Sequence, residues 1–131
     1  MSLEALNLSA GLRFSKKYNT SSLNSARYMG SGDVDVLATP AMIAFMENAC
    51  LTAVEDKLPE GFTTVGTLVN VTHTAAVPVG VEIEVRGTLL SVNGRRLTFW
   101  VEAWWNNKKI GQGVHERVVV NRVEFLNRLK T

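Results

Sequence analysis

A glutamate set in an apolar run is the first residue of this chain whose position calls for chemistry. Glu47 sits inside Ala41-Met42-Ile43-Ala44-Phe45-Met46-Glu47-Asn48-Ala49-Cys50-Leu51, a stretch that reads as a buried helix. A carboxylate is almost never fully buried without a partner, because the unpaired charge costs several kcal/mol or the group takes up a proton. Another element is therefore expected to meet it. The chain has two histidines, His73 and His115, and both fall in segments patterned as strands. A partly desolvated glutamate facing an imidazole or a threonine hydroxyl can act as nucleophile or general base, and the neighbour keeps the carboxylate usable near neutral pH. The plainer alternative for Glu47 is a helix residue that reaches solvent at a dimer seam, since glutamate is a good helix former.

Thr39-Pro40 opens that helix. Threonine suits the N-cap, and proline suits the first helical position, where its missing N–H would be unpaired anyway. A helix N-terminus also offers free N–H groups and partial positive charge to a developing oxyanion, so capping and chemistry at Thr39 do not exclude each other. At ~1.5 Å per residue the helix rises about 12 Å between Thr39 and Glu47. That is long for direct contact, so a substrate would span it or a partner subunit would supply one of the two groups. His73 shares a strand face with Val69 and Val71, which points its ring into an apolar region where it could protonate a leaving group or polarise a substrate. Alone, it would read as a satisfied structural histidine. His115 and Arg117 share a face of a later strand, with Glu116 on the other, and fit a structural role as well as support of a site. Cys50 lies on a helix face similar to that of Glu47, but nothing near it would lower a thiol pKa, so it reads as a small hydrophobe.

These residues need elements to hold them. Residues 11–19 form a short strand with Leu12, Phe14 and Tyr18, and residues 20–38, rich in Ser, Gly, Asn and Asp, make a connection long enough for a lid or binding loop. The central helix is expected over residues 39–57, stopped by Pro59 and Gly61. Being apolar on nearly every side, it should be wrapped by other structure. From about residue 62 the pattern is β: Thr63 to Thr74, then Val81, Ile83 and Val85 alternating with charged residues, then Leu97, Phe99, Val101 and Ala103, then Lys109 to Val120. Asn93-Gly94 is a hairpin signal because both residues accept positive φ, and Asn106-Asn107 marks a second turn. Asn121 caps a C-terminal helix over residues 121–131. The class is α+β, one sheet face burying one long helix. Trp100 and Trp104 fall on the opposite face, beside Glu102, which predicts a covering surface and hence a homodimer.

The chain's 131 residues fit a single domain, residues 1–131, and 46% apolar with 20% charged residues is an ordinary globular balance. A net charge of +2 with scattered basic residues argues against nucleic acid as a partner. One cysteine excludes an intrachain disulfide and suits a reducing compartment. No apolar run approaches the ~18 residues of a membrane span, and the N-terminus lacks a signal pattern. A cytoplasmic protein with no membrane partner is expected. Nothing suggests a metal or cofactor: the histidines are far apart, no His/Cys/Asp cluster is present, and Gly111-Gln112-Gly113 is too short for a phosphate cradle.

Within this order, Ala38-Thr39, Met46-Glu47-Asn48-Ala49-Cys50, Val65-Gly66-Thr67, Val71-Thr72-His73-Thr74-Ala75-Ala76, Ser91-Val92-Asn93-Gly94-Arg95-Arg96-Leu97 and His115-Glu116-Arg117 resemble the fluoroacetyl-CoA thioesterase family over roughly residues 36–120. The resemblance implies the hotdog fold, an antiparallel sheet around one long central helix, and hydrolysis of an acyl-CoA substrate. It places catalytic roles on Thr39, Glu47 and His73, turns a backbone N–H of Gly66 toward the thioester carbonyl, and sets Arg117 at a matching, substrate-binding position. Hotdog sites commonly form at a subunit interface, which implies a homodimer or a higher homo-oligomer. Arg95, Arg96, Lys108 and Lys109, at the two hairpin turns, are either solvated turn residues or contacts for CoA phosphates. The family's phenylalanine lid has no counterpart in Arg27 to Leu37, so an acyl group other than fluoroacetyl is implied. A non-catalytic acyl-CoA-binding or sensing hotdog module is the competing function, although binding alone does not require the full Thr-Glu-His set. A third reading is an unrelated small α+β ligand-binding fold.

Overall fold

The computed structural model describes residues 6–130. Strand β1 (Arg13–Asn19) leads through a 3-10 turn (Ser22–Asn24) and a one-turn helix α1 (Ala26–Met29) to the long helix α2 (Thr39–Glu55). Strands β2 (Phe62–His73), β3 (Glu82–Asn93), β4 (Arg96–Trp105) and β5 (Lys108–Asn121) follow, then a short helix α3 (Arg122–Asn127). The strands form one antiparallel sheet ordered β1-β3-β4-β5-β2, and α2 packs across one face of it. This is the expected α+β arrangement.

Period-two alternation sets the phase of the sheet. In β4, Leu97, Phe99, Val101 and Ala103 are buried under α2, while Thr98, Trp100, Glu102 and Trp104 face outward. The indole N–H groups of Trp100 and Trp104 each donate to one Glu102 carboxylate oxygen at 2.9 Å, and the Arg86 guanidinium lies 4.4 Å from the Trp104 ring centroid. No second subunit is needed to satisfy those indoles. Asn106 and Asn107 both take positive φ, as a type I′ turn requires. In the β3–β4 turn only Gly94 does so. Asn93 stays in the ladder opposite Arg96, so the turn is Gly94-Arg95 rather than Asn93-Gly94.

The helix departs from expectation in extent and in covering. It ends at Glu55, and its buried stripe is Met42, Met46, Ala49, Cys50 and Val54. Ile43, Phe45, Glu47 and Leu51 are half-buried and Ala44 is exposed. A sheet of five strands covers one side of a helix and leaves the far flank open. At the other end, Asn121 caps α3 by accepting from the Glu124 N–H, and α3 stops at Asn127, with residue 131 outside the described residues.

Two local features position the site. In β2, Gly66 pairs with Arg117 and Leu68 with Glu116, which leaves Thr67 as a bulge. Thr64 and Gly66 before the bulge, and Val69, Val71 and His73 after it, all pair with buried β5 positions and share the inward face. The segment 20–38 is not structureless. Ser21 and Ser25 cap its two turns, Gly30 ends α1 in a left-handed conformation, the bridge Ser25–Leu37 closes the segment on itself, and the bridge Val36–Pro78 ties it to the body. Among the described residues no helix is long and apolar enough to cross a membrane.

Candidate active site

Helix α2 and strand β2 bring the candidate residues to two places. At the start of α2, Thr39 is the first helical residue and not the cap. Ala38 holds the N-cap without a side-chain hydrogen bond, and Pro40 takes the second position. The Thr39 hydroxyl is committed elsewhere: its Oγ1 lies 2.7 Å from Nδ1 of His73 at the end of β2. Burial lowers the His73 pKa from its ordinary value, against a backbone hydrogen bond at Ala75 that pulls the other way, which favours the neutral ring. Its Nε2 is buried and has no hydrogen-bond partner among the described residues. An orphaned buried nitrogen needs an explanation in ligand, water or function.

Midway along α2 stands Glu47, half-buried. Its Oε2 lies 2.9 Å from the point where a β-carbon on Gly66 would stand, with His115 Cε1 at 3.3 Å and Arg117 Nη1 at 3.5 Å from that same point. Glycine at 66 is what lets the carboxylate come so near the strand. Behind it is a closed network. The Leu68 carbonyl is 2.8 Å from His115 Nδ1, which assigns the proton to Nδ1 and leaves Nε2 to accept from Arg117 Nη1–H at 3.1 Å. Arg117 Nε–H donates to Thr64 Oγ1 at 2.7 Å and Nη2–H to the Thr64 carbonyl at 2.9 Å. His115 is 1% exposed and Arg117 6%. Burial is the chief cause lowering both their pKa values, and the Arg117 charge lowers that of His115 further.

Within one chain, then, the neighbours of Glu47 are His115 and Arg117 and not His73. Residues 66 and 73 are roughly 20 Å apart along β2 at ~3.3 Å per residue. Thr64, the anchor of Arg117, carried no sequence signal beyond lying two residues before Gly66. Cys50 is buried, and burial pushes its thiol up to about 12, with Arg117 opposing the shift and Glu47 adding to it, which disfavours the nucleophilic thiolate.

A cleft of about 380 Å³ opens beside Thr39 and His73, between the 26–37 segment and residues 74–76. A larger trough of about 600 Å³ lies on the outer sheet face against Arg86, Trp100 and Glu102, and touches none of the candidate residues.

Comparison with known proteins agrees with this architecture. Residues 21–123 match the family model for fluoroacetyl-CoA-specific thioesterase. The fluoroacetyl-CoA thioesterase of Streptantibioticus cattleyicolor is 43% identical over 91 residues, which span 70% of this chain and 66% of that protein, just under two thirds of its length. A solved structure of the fluoroacetyl-CoA thioesterase FlK superposes with a TM-score of 0.89 at 34% identity, covering 95% of this chain and 98% of that one. A hot-dog-like protein from Thermanaerovibrio acidaminovorans, 23% identical, superposes at 0.83 over 92% of this chain and 89% of its own, and shares the fold.

Proposed function

The chain belongs to the fluoroacetyl-CoA-specific thioesterase family, and from that premise we propose that it hydrolyses an acyl-CoA thioester at a site shared between two subunits, Thr39 and His73 from one and Glu47 from the other. The observation that carries this reading is the orphaned Nε2 of His73, on an inward position of a strand at the sheet edge. That edge exposes Leu68 and Val69, and native proteins pair or cover such edges. Antiparallel pairing of β2 with its symmetry mate, about a two-fold axis at Asn70 and with the bulge at Thr67 counted, sets His73 opposite Gly66 of the partner subunit and hence beside Glu47 of the partner subunit. In a regular strand, residues 66 and 73 would face opposite ways. The extra residue at Thr67 turns both inward. A homodimer of this kind removes the distance problem along α2. The buried free thiol of Cys50 suits a reducing compartment such as the cytoplasm.

The chemistry follows from the groups assembled. Glu47 either attacks the thioester carbonyl, giving an acyl anhydride that water opens, or takes a proton from attacking water. The carbonyl oxygen gathers negative charge near the α2 N-terminus, where no side chain caps the first turn, and the Gly66 N–H is a further donor. With the Thr39 hydroxyl donating to Nδ1, His73 presents Nε2–H. The C–S bond breaks, the CoA thiolate gains a proton, and carboxylic acid and CoA thiol leave. Arg117, its nitrogens already partnered, positions Glu47.

Mixing subunits tests the sharing. Glu47→Gln and His73→Ala homodimers should each be nearly inactive. After exchange, half the dimers carry one intact site, so thiol release should recover to about a quarter of the wild-type rate. No recovery in a verified mixed dimer would put the whole site within one chain. Single-turnover hydrolysis in ¹⁸O water labels Glu47 only if it is the nucleophile.

A further inference from the structure

The cleft beside Thr39 and His73 has a lining that hydrolysis alone does not demand. One wall is Ala26, Gly32, Val34 and Val36, and Ala75 and Ala76 stand across from it. Among the described residues no Asp, Glu, Lys or Arg lines it. The nearby charges pair among themselves, Arg27 Nε lying 3.2 Å from Asp35 Oδ1 and Nη1 3.7 Å from Asp33 Oδ1. The space is built into the fold. Ala26 N–H donates to the Val36 carbonyl at 2.8 Å, Ser31 N–H to the Ala26 carbonyl at 2.9 Å, and Leu37 N–H to the Val77 carbonyl at 2.7 Å. A β-carbon on Gly32 would stand only 3.1 Å from Ala26 Cβ, so the segment packs tightly on itself. Ser31, Thr39, His73 and Thr74 add polar groups to these walls, and Val34 and Ala76 stand at the exposed rim.

Resting on the hydrolase reading above, we propose that this cleft is the acyl pocket and that it takes uncharged aliphatic acyl groups of roughly six to eight carbons. At about 30 Å³ per water-sized group, its volume holds roughly a dozen such groups, enough for the thioester and a chain of that length. An acetyl group would leave most of it wet. Each methylene moved from water onto these walls raises kcat/KM by up to about fourfold. An acyl group ending in a carboxylate would find no Lys or Arg among the lining side chains to pair with it.

Thiol release across straight-chain substrates from acetyl-CoA to decanoyl-CoA reads this directly. The expected kcat/KM climbs roughly 10- to 200-fold from acetyl to hexanoyl, then levels beyond octanoyl. Succinyl-CoA should be at least ~10-fold poorer than butyryl-CoA. Val34→Phe and Ala76→Phe fill the cleft from opposite walls and should cut the octanoyl-to-acetyl ratio by ~10-fold or more. A flat or falling profile overturns the assignment. So does an equal loss for all chain lengths in both variants, which would give the cleft to the pantetheine arm. Calorimetry with S-alkyl-CoA thioethers reads the same pocket without hydrolysis. If no acyl-CoA is cleaved but thioether affinity rises with chain length, the hydrolase reading fails and the pocket stands. Affinity that ignores chain length sinks the pocket.

Discussion

Every nitrogen of the Arg117 guanidinium has a partner inside the chain, whereas one buried nitrogen of the His73 ring has none among the described residues. Both side chains sit on the inward face of the sheet, and burial lowers the pKa of both. The region around Glu47 is therefore a closed platform, its guanidinium and imidazole fixed by Thr64 and Leu68. The region around Thr39 is open and incomplete. A satisfied network fixes geometry, and an orphaned polar atom marks where something else must arrive. In the proposed dimer, chemistry at the open end draws on a group that the closed end of the other subunit holds ready.

The largest effect should separate catalysis from support. Glu47→Gln keeps the shape of a half-buried side chain that stands outside the Arg117 hydrogen bonds. Turnover should fall by at least ~10²-fold while stability to urea shifts by less than ~0.5 kcal/mol. A variant that unfolds easily yet turns over normally would make Glu47 part of the platform and not its product. Next in size is the platform itself. Arg117→Met strands Thr64 Oγ1, the Thr64 carbonyl and His115 Nε2, and should cost about 3 kcal/mol in urea unfolding. Thr39→Ala, at an exposed position, should cost under ~1 kcal/mol. Equal losses would erase the contrast between closed and open ends.

Much of this architecture was legible because its signals are local. Alternation from Leu97 to Ala103 fixes a strand and its inward face, Asn106-Asn107 fixes a turn, and Thr39-Pro40 opens a helix within one residue of where it starts. The inward phase of His73 follows from Val69 and Val71. The company of Glu47 was not legible, because it depends on the bulge at Thr67. A bulge in a run of Val and Thr leaves no compositional mark, yet it decides that Gly66 and Val69 face the same way. The caps at Ser21 and Ser25 hold single turns, too short for periodicity to reveal, so residues 20–38 read as open loop.

Gly66 gives a smaller and sharper test of the same contrast. A β-carbon there would meet Glu47 Oε2 at 2.9 Å, the far end of a flexible side chain. The carboxylate can swing away and the His115 ring, 3.3 Å from that point, need yield only a few tenths of an ångström, so Gly66→Ala should still fold. A displacement of the order of 1 Å at a reacting group still costs ~10-fold or more in kcat. Unchanged kcat would mean that the carboxylate does not work from over Gly66.

The smallest effect concerns protons. Burial holds His73 and His115 below the unfolded value of 6.5. As pH falls through about 6.5 the unfolded chain binds protons that the native chain refuses, so unfolding free energy declines until the native rings also titrate. Each histidine contributes a slope of at most about 1.4 kcal/mol per pH unit. The two should not share it equally. A proton on His115 Nε2 would set N–H against the Arg117 N–H, because Nδ1 is already committed to Leu68. On His73 the second proton goes to Nδ1, where the Thr39 hydroxyl can turn to accept from it, so no bond is lost. His115→Asn should therefore flatten the pH dependence of urea stability between about pH 5 and 6.5 more than His73→Asn does. Equal flattening by the two substitutions would mean that the ring at the lid end is enclosed as completely as the one beside Arg117, and that nothing need arrive there.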